Sequence, residues 1–494
     1  MRLSRLVGNL CACEVVYAGK SWEREIGELS VDSRLIKGET LFFCLTGGKV
    51  DGHTYAEEAI KQGAVALVVE KRLPVDVPQL LVRDSREALA LLSSAFYGFP
   101  SERLIVIGIT GTNGKTTTAH MLASVLEKSG RKTGVIGTLG VRFGERRYDS
   151  DLTTPDPIVL HRTFAEMLAC GMEYAVMEVS AHALHYKKTQ GVRFVACIFT
   201  NFTQDHLDFF DSMGEYKRAK ARLFQTDVCP IAVLNGDEGV GREFGVLREK
   251  SGDVKTVYYG LNTPADAFAI VTDETLYGSE CVLNVNDRLC RASLSLTGRH
   301  NVYNALAAAA CAVELGVNID HVAEGLSAIK GVSGRLEKAG EYKEADVFVD
   351  FAHTPDGLEK SLESLRKHCK GRLVCLFGCG GNRDKTKRPL MGETVAKKCD
   401  FAVLTSDNPR YEDPLDIISG IEKGYRRFSM RYVVVPDRRK AIEYALDFLK
   451  KGDVLLVAGK GGEHYQEIMG IKYSFNDNDI IEKIVKEKGE SPFV

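Results

Sequence analysis

The chain has 494 residues, 44% hydrophobic and 27% charged, and its 65 Lys and Arg nearly balance its 67 Asp and Glu, leaving a net charge of -2. That length exceeds what one hydrophobic core supports, so two to four domains are expected. The near-neutral balance argues against a general nucleic-acid or anionic-membrane binder and points to small anionic ligands.

The opening MRLSRLVGNLCAC superficially resembles a lipoprotein signal, but its apolar run is short and interrupted by Gly8 and Asn9. It is too weak for a secretory signal, and no stretch has the apolar length to span a bilayer, so a cytoplasmic protein is expected. Thirteen cysteines are scattered without a C-x-x-C pair, and no His/Cys spacing matches a zinc site. Reduced, mostly buried thiols are the expectation.

From residue 25 to 98, the β-rich runs TLFFCL and AVALVVE alternate with the amphipathic helical stretches TYAEEAIKQG and SREALALLSSAFYG. This reads as a small α/β domain, closed by a linker at Gly98 and Pro100. A second block opens with the strand LIVIGI, passes through a glycine loop and enters the helix KTTTAHMLASVLEKSG. The strands EYAVMEVS, FVACIFTN and IAVLN follow, separated by helices, and the apolar helix NALAAAACAVELG lies near the end of the block. After KGVSGRLE the alternation restarts with DVFVDFA, LVCLFGCGG, FAVLTSDNP, YVVVP and DVLLVAGKGG, each strand ending in Gly, Asp or Asn.

Strands alternating with helices imply doubly wound, mostly parallel sheets, with ligands beyond the carboxyl ends of the strands. Three domains follow: a small N-terminal α/β domain (1–98), a central P-loop domain (99–332) and a C-terminal Rossmann-like α/β domain (333–494).

The sequence GITGTNGKTTT (108–118) carries the clearest chemistry. A strand precedes it, a helix follows, and Gly111, Gly114, Lys115 and Thr116 stand where amides, an ammonium and a hydroxyl would meet phosphates and magnesium. Counting back from Lys115, however, the first Walker glycine falls on Ile109. A tight turn with a solvated lysine would be the ordinary explanation, and the combination of strand, G-K-T and helix disfavours it.

The spelling GTNGKTTT resembles the ATP-binding loop of the Mur ligase family, amide-forming enzymes of peptidoglycan precursor synthesis, in which the first glycine stands at Gly111. Nine further motifs fall in the family's order: MEVSAH (177–182), FTNFTQDHLDFF (199–210), KRAKARLF (217–224), GRHNVYNALAA (298–308), SGRLE (333–337), DFAHTPDGL (350–358), GGNRDKTKRPLM (380–391), SDNPRYEDP (406–414) and AGKGGEHYQ (458–466). SVDSR (30–34), TTPD (153–156) and DNPR (407–410) resemble the branch that adds a diamino acid to UDP-MurNAc-L-Ala-D-Glu.

The resemblance implies an ADP-forming ligase using ATP and Mg2+. ATP would phosphorylate the substrate carboxylate, and the amine of the incoming amino acid would attack the acyl phosphate. Lys115, Lys220 (carbamylated), His206 and Glu178 are the implied catalytic residues, with Thr116, Glu178, His206 and Lys220 as the metal set. ATP contacts are implied for Gly111, Thr112, Asn113, Gly114, Lys115, Thr116, Thr117, Asn301, Arg335 and Asp350, with His353 nearby.

Val31, Ser33, Gly48, Lys49, Thr153, Thr154, Ser180, Tyr186 and Lys188 match the UDP-MurNAc-dipeptide side, although Lys188 replaces an arginine and Tyr186 a glutamine. Arg383, Asp407, Asn408, Pro409, Arg410, Gly459 and Glu463 match the amino-acid pocket, where GKGGEH replaces GKGHE. An arginine can grip a distal carboxylate bidentately, so DNPR favours meso-diaminopimelate. Glu412 and Asp413 could instead receive an ammonium, which keeps L-lysine as a close second. A folylpolyglutamate synthetase-like ligase and a P-loop regulatory ATPase are the competing functions. The expected partners are small molecules, without nucleic acid or membrane insertion, and the expected state is a monomer.

Overall fold

The computed structural model describes residues 1–10, 14–15, 23–47, 50–250 and 254–488. Cys11, Cys13 and two expected sugar-nucleotide contacts, Gly48 and Lys49, lie outside the described residues. The chain packs as two compact units: Met1–Gly108, Arg131–Ala196 and Asp227–Pro230 form the first, and Ile109–Gly130, Cys197–Thr226 and Ile231–Val494 the second. The strands Ile105–Thr110 and Phe194–Phe199 contribute residues to both.

The first unit contains a five-stranded sheet in the order Glu14–Val15, Gln79–Leu81, Ala64–Val69, Thr40–Phe43, Glu28–Ser30, parallel except for its first pair. Leu41 and Phe43 pack with Leu89 and Leu92 of the helix Ser85–Phe96 and with Leu3 and Leu6. Phe42 points the other way, toward Ala56 and Ala59. Strands covered by helices on both faces are near-continuous apolar runs, which is why TLFF and AVALVV are legible. Asp84 caps the helix by accepting from the backbone N–H groups of Arg86 and Glu87. The unit also carries the parallel pair Thr133–Gly137 and Tyr174–Glu178, and an antiparallel ribbon through Gly140–Phe143 and Arg146–Tyr148.

In the second unit, Phe194–Phe199 is followed across the sheet by Ile231–Asn235, Lys255–Gly260, Ala267–Thr275, Gly278–Val285 and Arg288–Leu294. Pairing is parallel from Ile231–Asn235 to Ala267–Thr275 and antiparallel beyond. The helices Lys115–Lys128, Arg299–Glu314 and Ile319–Ala328 pack on one another. The buried alanines of Arg299–Glu314 suit that close approach, as does Gly325, where an added Cβ would lie 2.4 Å from the Val125 Cα.

A six-stranded sheet runs in the order Glu337–Tyr342, Ala345–Asp350, Val454–Ala458, Leu373–Phe377, Phe401–Leu404, Tyr432–Val434, parallel except at its first pair. Its two faces bury Cys375, Phe377 and Leu456 on one side and Val374, Leu376 and Leu455 on the other. The expected parallel strands are thus present, and their carboxyl ends feed the loops at 351–354, 378–386, 405–413 and 459–464.

Several antiparallel features were not read from the sequence, among them the meander 267–294, the strand Glu337–Tyr342 and the hairpin Tyr465–Ile468 with Ile471–Ser474. Their strands are half-polar, as one-sided burial requires, and give no continuous apolar run. Among the described residues the cysteines are free thiols, and no helix is long and apolar enough to cross a membrane.

Candidate active site

The strand Ile105–Thr110 ends at Gly111, and the helix Lys115–Lys128 starts after Gly114. Gly111 (φ 152°) and Gly114 (φ 86°) take conformations that side chains disfavour. Space forbids a side chain too: an added Cβ would lie 1.9 Å from Thr200 Oγ1 at Gly111 and 2.4 Å from Asn304 Oδ1 at Gly114. The loop is cross-braced by FTNFTQDH. The Asn113 N–H donates to Asn201 Oδ1 (2.9 Å), while Thr200 Oγ1 and Asn201 Nδ2 donate to the Asn113 carbonyl (2.6 and 3.0 Å). Thr112 Oγ1 donates to the Thr203 carbonyl (3.2 Å) and stands 3.2 Å from the Tyr216 hydroxyl.

Two lysines converge on this turn. Lys115 donates to the carbonyls of Gly111 (3.0 Å) and Thr112 (2.8 Å), and Lys220, on the helix Met213–Ala221, donates to the same Gly111 carbonyl at 2.8 Å. Lys220 is 1% exposed. Burial, then the neighbouring Lys115 cation, pushes the proton affinity of its amine well below the ordinary lysine value, against the pull of Asp205.

A cleft of about 500 Å³ opens beside the loop, lined in part by Asn113, Gly114, Thr117, Asn301, Arg335 and Asp350. Arg335 lies over the Phe351 ring and donates to Thr116 Oγ1 at 2.9 Å. Asp350 accepts from the backbone N–H groups of Leu336 (2.5 Å) and Ala352 (2.7 Å), so it shapes the turn while facing the cleft. Burial raises its pKa against the Arg335 cation and these hydrogen bonds. Asn301 is not the helix cap, a place held by Gly298. Its amide instead donates to the Thr297 carbonyl (2.8 Å), and its Oδ1 accepts from Asn304 (3.1 Å).

Asp205, buried before His206, meets four donors or cations: the His206 N–H (2.9 Å), His206 Nε2 (3.4 Å), Lys387 Nζ (3.4 Å) and His353 Nε2 (3.7 Å). Burial works against its charge, but the His353 hydrogen bond and the Lys387 and His206 charges hold its carboxyl well below the usual range. His206 itself has φ 58°.

The amino-acid residues gather at the ends of Phe401–Leu404 and Val454–Ala458. Lys460, fully buried, donates to Asn408 Oδ1 (2.9 Å) and Glu463 Oε2 (2.8 Å), and Asn408 Nδ2 donates to the same Glu463 oxygen (2.9 Å). Burial opposes the charge on Asp407, yet the Lys460 and Arg438 cations hold its carboxyl below the usual range. Gly459 has φ 114°, and an added Cβ would lie 2.4 Å from Asp407 Oδ2. Pro409 offers its carbonyl so close to Gly381 that a Cβ there would stand 1.9 Å from it. Arg410 reaches Glu467 and the Gly381 carbonyl. Arg383 pairs with Asp208 at 3.7 Å, and its Cγ would lie 3.7 Å from a Cβ at Gly380, as Arg410 Nη1 would at 3.0 Å.

In the first unit, Thr153, Thr154 and Ser180 gather around Glu178. The Thr138 N–H and hydroxyl donate to the Glu178 carboxylate (2.8 and 3.1 Å), and Thr153 Oγ1 stands 3.1 Å from Thr138 Oγ1. Thr154 donates to the Glu178 carbonyl (2.9 Å) and accepts from the Ser180 N–H (3.0 Å). Lys188 pairs with Asp156 at 2.7 Å, and Arg86 lies 4.5 Å over the Tyr186 ring. Val31 and Ser33 occupy the turn after Glu28–Ser30.

Residues 25–97, 109–312 and 334–461 match, in turn, the Mur ligase family catalytic domain, the Mur ligase middle domain and the Mur ligase glutamate ligase domain. The UDP-N-acetylmuramoyl-L-alanyl-D-glutamate--2,6-diaminopimelate ligase of Geobacillus kaustophilus (strain HTA426) is 41% identical over 99% of this chain and 100% of its own length. The chain belongs to the Mur ligase family. A solved structure of a UDP-N-acetylmuramoyl-L-alanyl-D-glutamate--2,6-diaminopimelate ligase is similar, with a TM-score of 0.68, 29% identity and coverage of 96% of this chain and 98% of its own. The fold is shared with Mycobacterium tuberculosis folylpolyglutamate synthase, solved with ADP and AMPPCP, at 18% identity, a TM-score of 0.63 and coverage of 83% of this chain and 96% of that one.

Several polar groups of this Mur ligase were not singled out from its sequence. Asp237 lines the cleft, accepting from Thr263 Oγ1 (2.6 Å), the Tyr303 hydroxyl (2.7 Å) and the Leu261 N–H (2.7 Å). Burial would raise its pKa, but these donors hold it at about 2. The strand end IAVLN was a usable signal for it, since Asp237 follows two residues later. Lys387 sits inside GGNRDKTKRPLM, where only its contact with Asp205 sets it apart from its neighbours. Glu412 and Asp413, which could have received an ammonium, have protein partners instead. Glu412 is gripped by both terminal nitrogens of Arg388 (3.1 and 3.0 Å) and by Lys385 (3.1 Å), and Asp413 caps the helix Pro414–Tyr425.

Proposed function

We propose that this Mur ligase adds meso-diaminopimelate to UDP-MurNAc-L-Ala-D-Glu, at the expense of ATP, in the cytoplasm. A carboxylate is a poor electrophile and must be activated. Transfer of the terminal phosphoryl group of ATP to the substrate carboxylate gives an acyl phosphate and ADP. The neutral amine of the acceptor attacks the acyl carbon, and the tetrahedral intermediate expels inorganic phosphate as the amide forms. Such transfer depends chiefly on positioning and charge neutralisation.

The observation that carries this reading is buried Lys220 at the phosphate loop. A hydrolytic switch needs the loop and Lys115 but has no use for a second, desolvated amine on the Gly111 carbonyl. An amine of low proton affinity is the form that reacts with carbon dioxide: its lone pair forms the N–C bond, a proton leaves, and an anionic carbamate results. Among the described residues there is no group of three or more His, Cys, Asp or Glu able to hold a metal. Magnesium prefers hard oxygen ligands, which the Thr116 hydroxyl and a Lys220 carbamate would supply, with His206 as the further ligand of that unit. When bound, magnesium would neutralise charge on the phosphate oxygens.

The chain's own residues have separable roles in this reading. Lys115 and the N-terminus of Lys115–Lys128 hold the phosphates, with Gly111, Thr112, Asn113, Gly114, Thr116 and Thr117 shaping the loop. Asn301, Arg335 and Asp350 face the nucleotide. Val31, Ser33, Thr153, Thr154, Ser180, Tyr186 and Lys188 serve the UDP-sugar peptide, within functional domains 1–98, 99–332 and 333–494. Arg383, Asp407, Asn408, Arg410, Gly459 and Glu463 serve the acceptor. The engagement of Glu412 and Asp413 with protein partners supports diaminopimelate over L-lysine.

Release of ADP and phosphate, measured with each substrate omitted in turn, tests the reaction. Dependence on both the UDP-sugar dipeptide and the diamino acid is expected; release without acceptor would make the protein an ATPase switch. Comparing kcat/KM for meso-diaminopimelate, L-lysine and D-lysine tests the acceptor, and equal or better use of lysine would refute the inference from Arg410.

A further inference from the structure

The hairpin Tyr465–Ile468 with Ile471–Ser474 is stitched along its first strand to the loop 407–410. Gln466 Nε2 donates to the Asp407 carbonyl (2.7 Å), the Glu467 N–H to Asn408 Oδ1 (2.9 Å), the Arg410 N–H to the Glu467 carbonyl (3.1 Å) and the Met469 N–H to the Arg410 carbonyl (2.7 Å). Arg410 is held at φ 54°, a backbone conformation that a branched or long side chain rarely adopts without support. Its side chain is then fixed at two points: Nε donates to Glu467 Oε2 at 3.1 Å and Nη1 to the Gly381 carbonyl at 2.7 Å. Gly380 leaves room for the guanidinium, since a Cβ there would lie 3.0 Å from Nη1. The second terminal nitrogen of Arg410 has no hydrogen-bond partner among the described residues.

We propose that Glu467 is a positioning residue for acceptor recognition: it locks the Nε edge of Arg410 so that the remaining terminal N–H groups are presented to the distal carboxylate of the diamino acid. The proposal rests on the reading of diaminopimelate as the acceptor. A free arginine side chain would lose its rotamer freedom on binding, whereas one already held by Glu467 and Gly381 does not. Glu467 also supplies a counter-charge for a guanidinium that is only 19% exposed, itself being 22% exposed. Neither GKGGEH nor DNPR contains Glu467, which reaches Arg410 only through the hairpin's pairing with the loop 407–410.

Steady-state kinetics with saturating ATP and UDP-sugar dipeptide test this. Wild-type ADP release that requires meso-diaminopimelate is the first result needed, and its absence would overturn the acceptor reading before any variant is compared. Glu467→Ala is expected to raise KM for diaminopimelate about tenfold or more, the worth of one charge-assisted hydrogen bond, with kcat within about twofold. KM for ATP and for the UDP-sugar dipeptide should not change. Glu467→Gln keeps an oxygen for Arg410 Nε and should recover most of the loss. An unchanged KM for diaminopimelate in Glu467→Ala overturns the positioning role. So does a parallel rise in all three KM values with a lowered Tm, or a Glu467→Gln variant as impaired as Glu467→Ala.

Discussion

The side-chain amine of Lys220 donates to the carbonyl oxygen of Gly111 at 2.8 Å, from a position with 1% of its surface exposed. That oxygen also receives Lys115, so two amines share one acceptor at the turn of the phosphate loop. Holding both protonated there is costly, and the buried one gives way.

Lys220 is therefore the side chain on which bicarbonate dependence should fall. Labelling with 13C-bicarbonate should give a carbamate carbon signal that Lys220→Ala lacks, and the variant's kcat should drop on the order of a hundredfold, as for loss of one preorganised electrostatic group. Partial recovery with short-chain carboxylic acids would follow if the missing function is an anion. A wild-type spectrum without the signal, together with no loss of activity in the variant, would remove the carbamate from the mechanism.

Gly114 should tolerate no side chain. With φ 86° and an added Cβ 2.4 Å from Asn304 Oδ1, Gly114→Ala is expected to weaken nucleotide binding and lower Tm. The backbone contribution alone is about 1–2 kcal/mol, and the clash adds to it. Because the clash is with a single side chain, Gly114→Ala with Asn304→Ala should lose less than the sum of the two single losses, measured by calorimetric titration with an ATP analogue. Strict additivity would place the strain elsewhere.

Arg438 and Asp477 form a fully buried pair, with Nε to Oδ1 at 2.8 Å and Nη2 to Oδ2 at 2.7 Å. Arg438 also donates to the carbonyls of Ser406 (3.3 Å) and Ala458 (3.0 Å), which precede the two acceptor loops. Arg438→Met should destabilise by about 3–5 kcal/mol, because it strands a buried carboxylate. Adding Asp477→Leu should return part of that stability, and denaturant midpoints measure both. A single variant as stable as the wild type would contradict the buried geometry.

His161 lies at 0% exposure on the helix Pro157–Ala169, with neither ring nitrogen hydrogen-bonded. Burial lowers its pKa to about 4 from 6.5, so the folded state binds its proton less readily than the unfolded state. Above pH 6.5 it is neutral in both states and adds no pH dependence. As pH falls from 6.5 toward 4 stability is lost, by about 3 kcal/mol at roughly 1.4 kcal/mol per tenfold change in proton affinity. His161→Phe should flatten that part of the stability profile in denaturant titrations between pH 7 and 4. An identical slope in the variant would assign the loss to other groups.

Much of the scaffold was legible because of its physics. Parallel strands buried on both faces are apolar throughout, so LVCLF, DVLLVA and LIVIGI announce themselves, and a glycine pair before a lysine at a helix start announces an anion site. The antiparallel strands 267–294 and the hairpin 465–474 did not, because polar and exposed positions interrupt them and leave no continuous apolar run. The same limit applied to the site. Thr154 and Ser180 meet at the end of the Glu178 strand, and Ser180 lies in the same motif as Glu178, whereas Lys387 with Asp205, and Glu467 with Arg410, are separated by 182 and 57 residues and join only through the fold.

The class of chemistry is written in local strings: a phosphate loop of distinctive spelling followed by ordered motifs, each of which reads the same in any conformation. Which charges are desolvated and which are already engaged depends on the folded packing. It placed Lys220 in the interior beside Lys115, gave Glu412 to Arg388, and set Glu467 against Arg410. The reason is that proton affinity and ligand preference depend on burial and on neighbours distant along the chain, and no stretch of sequence carries either.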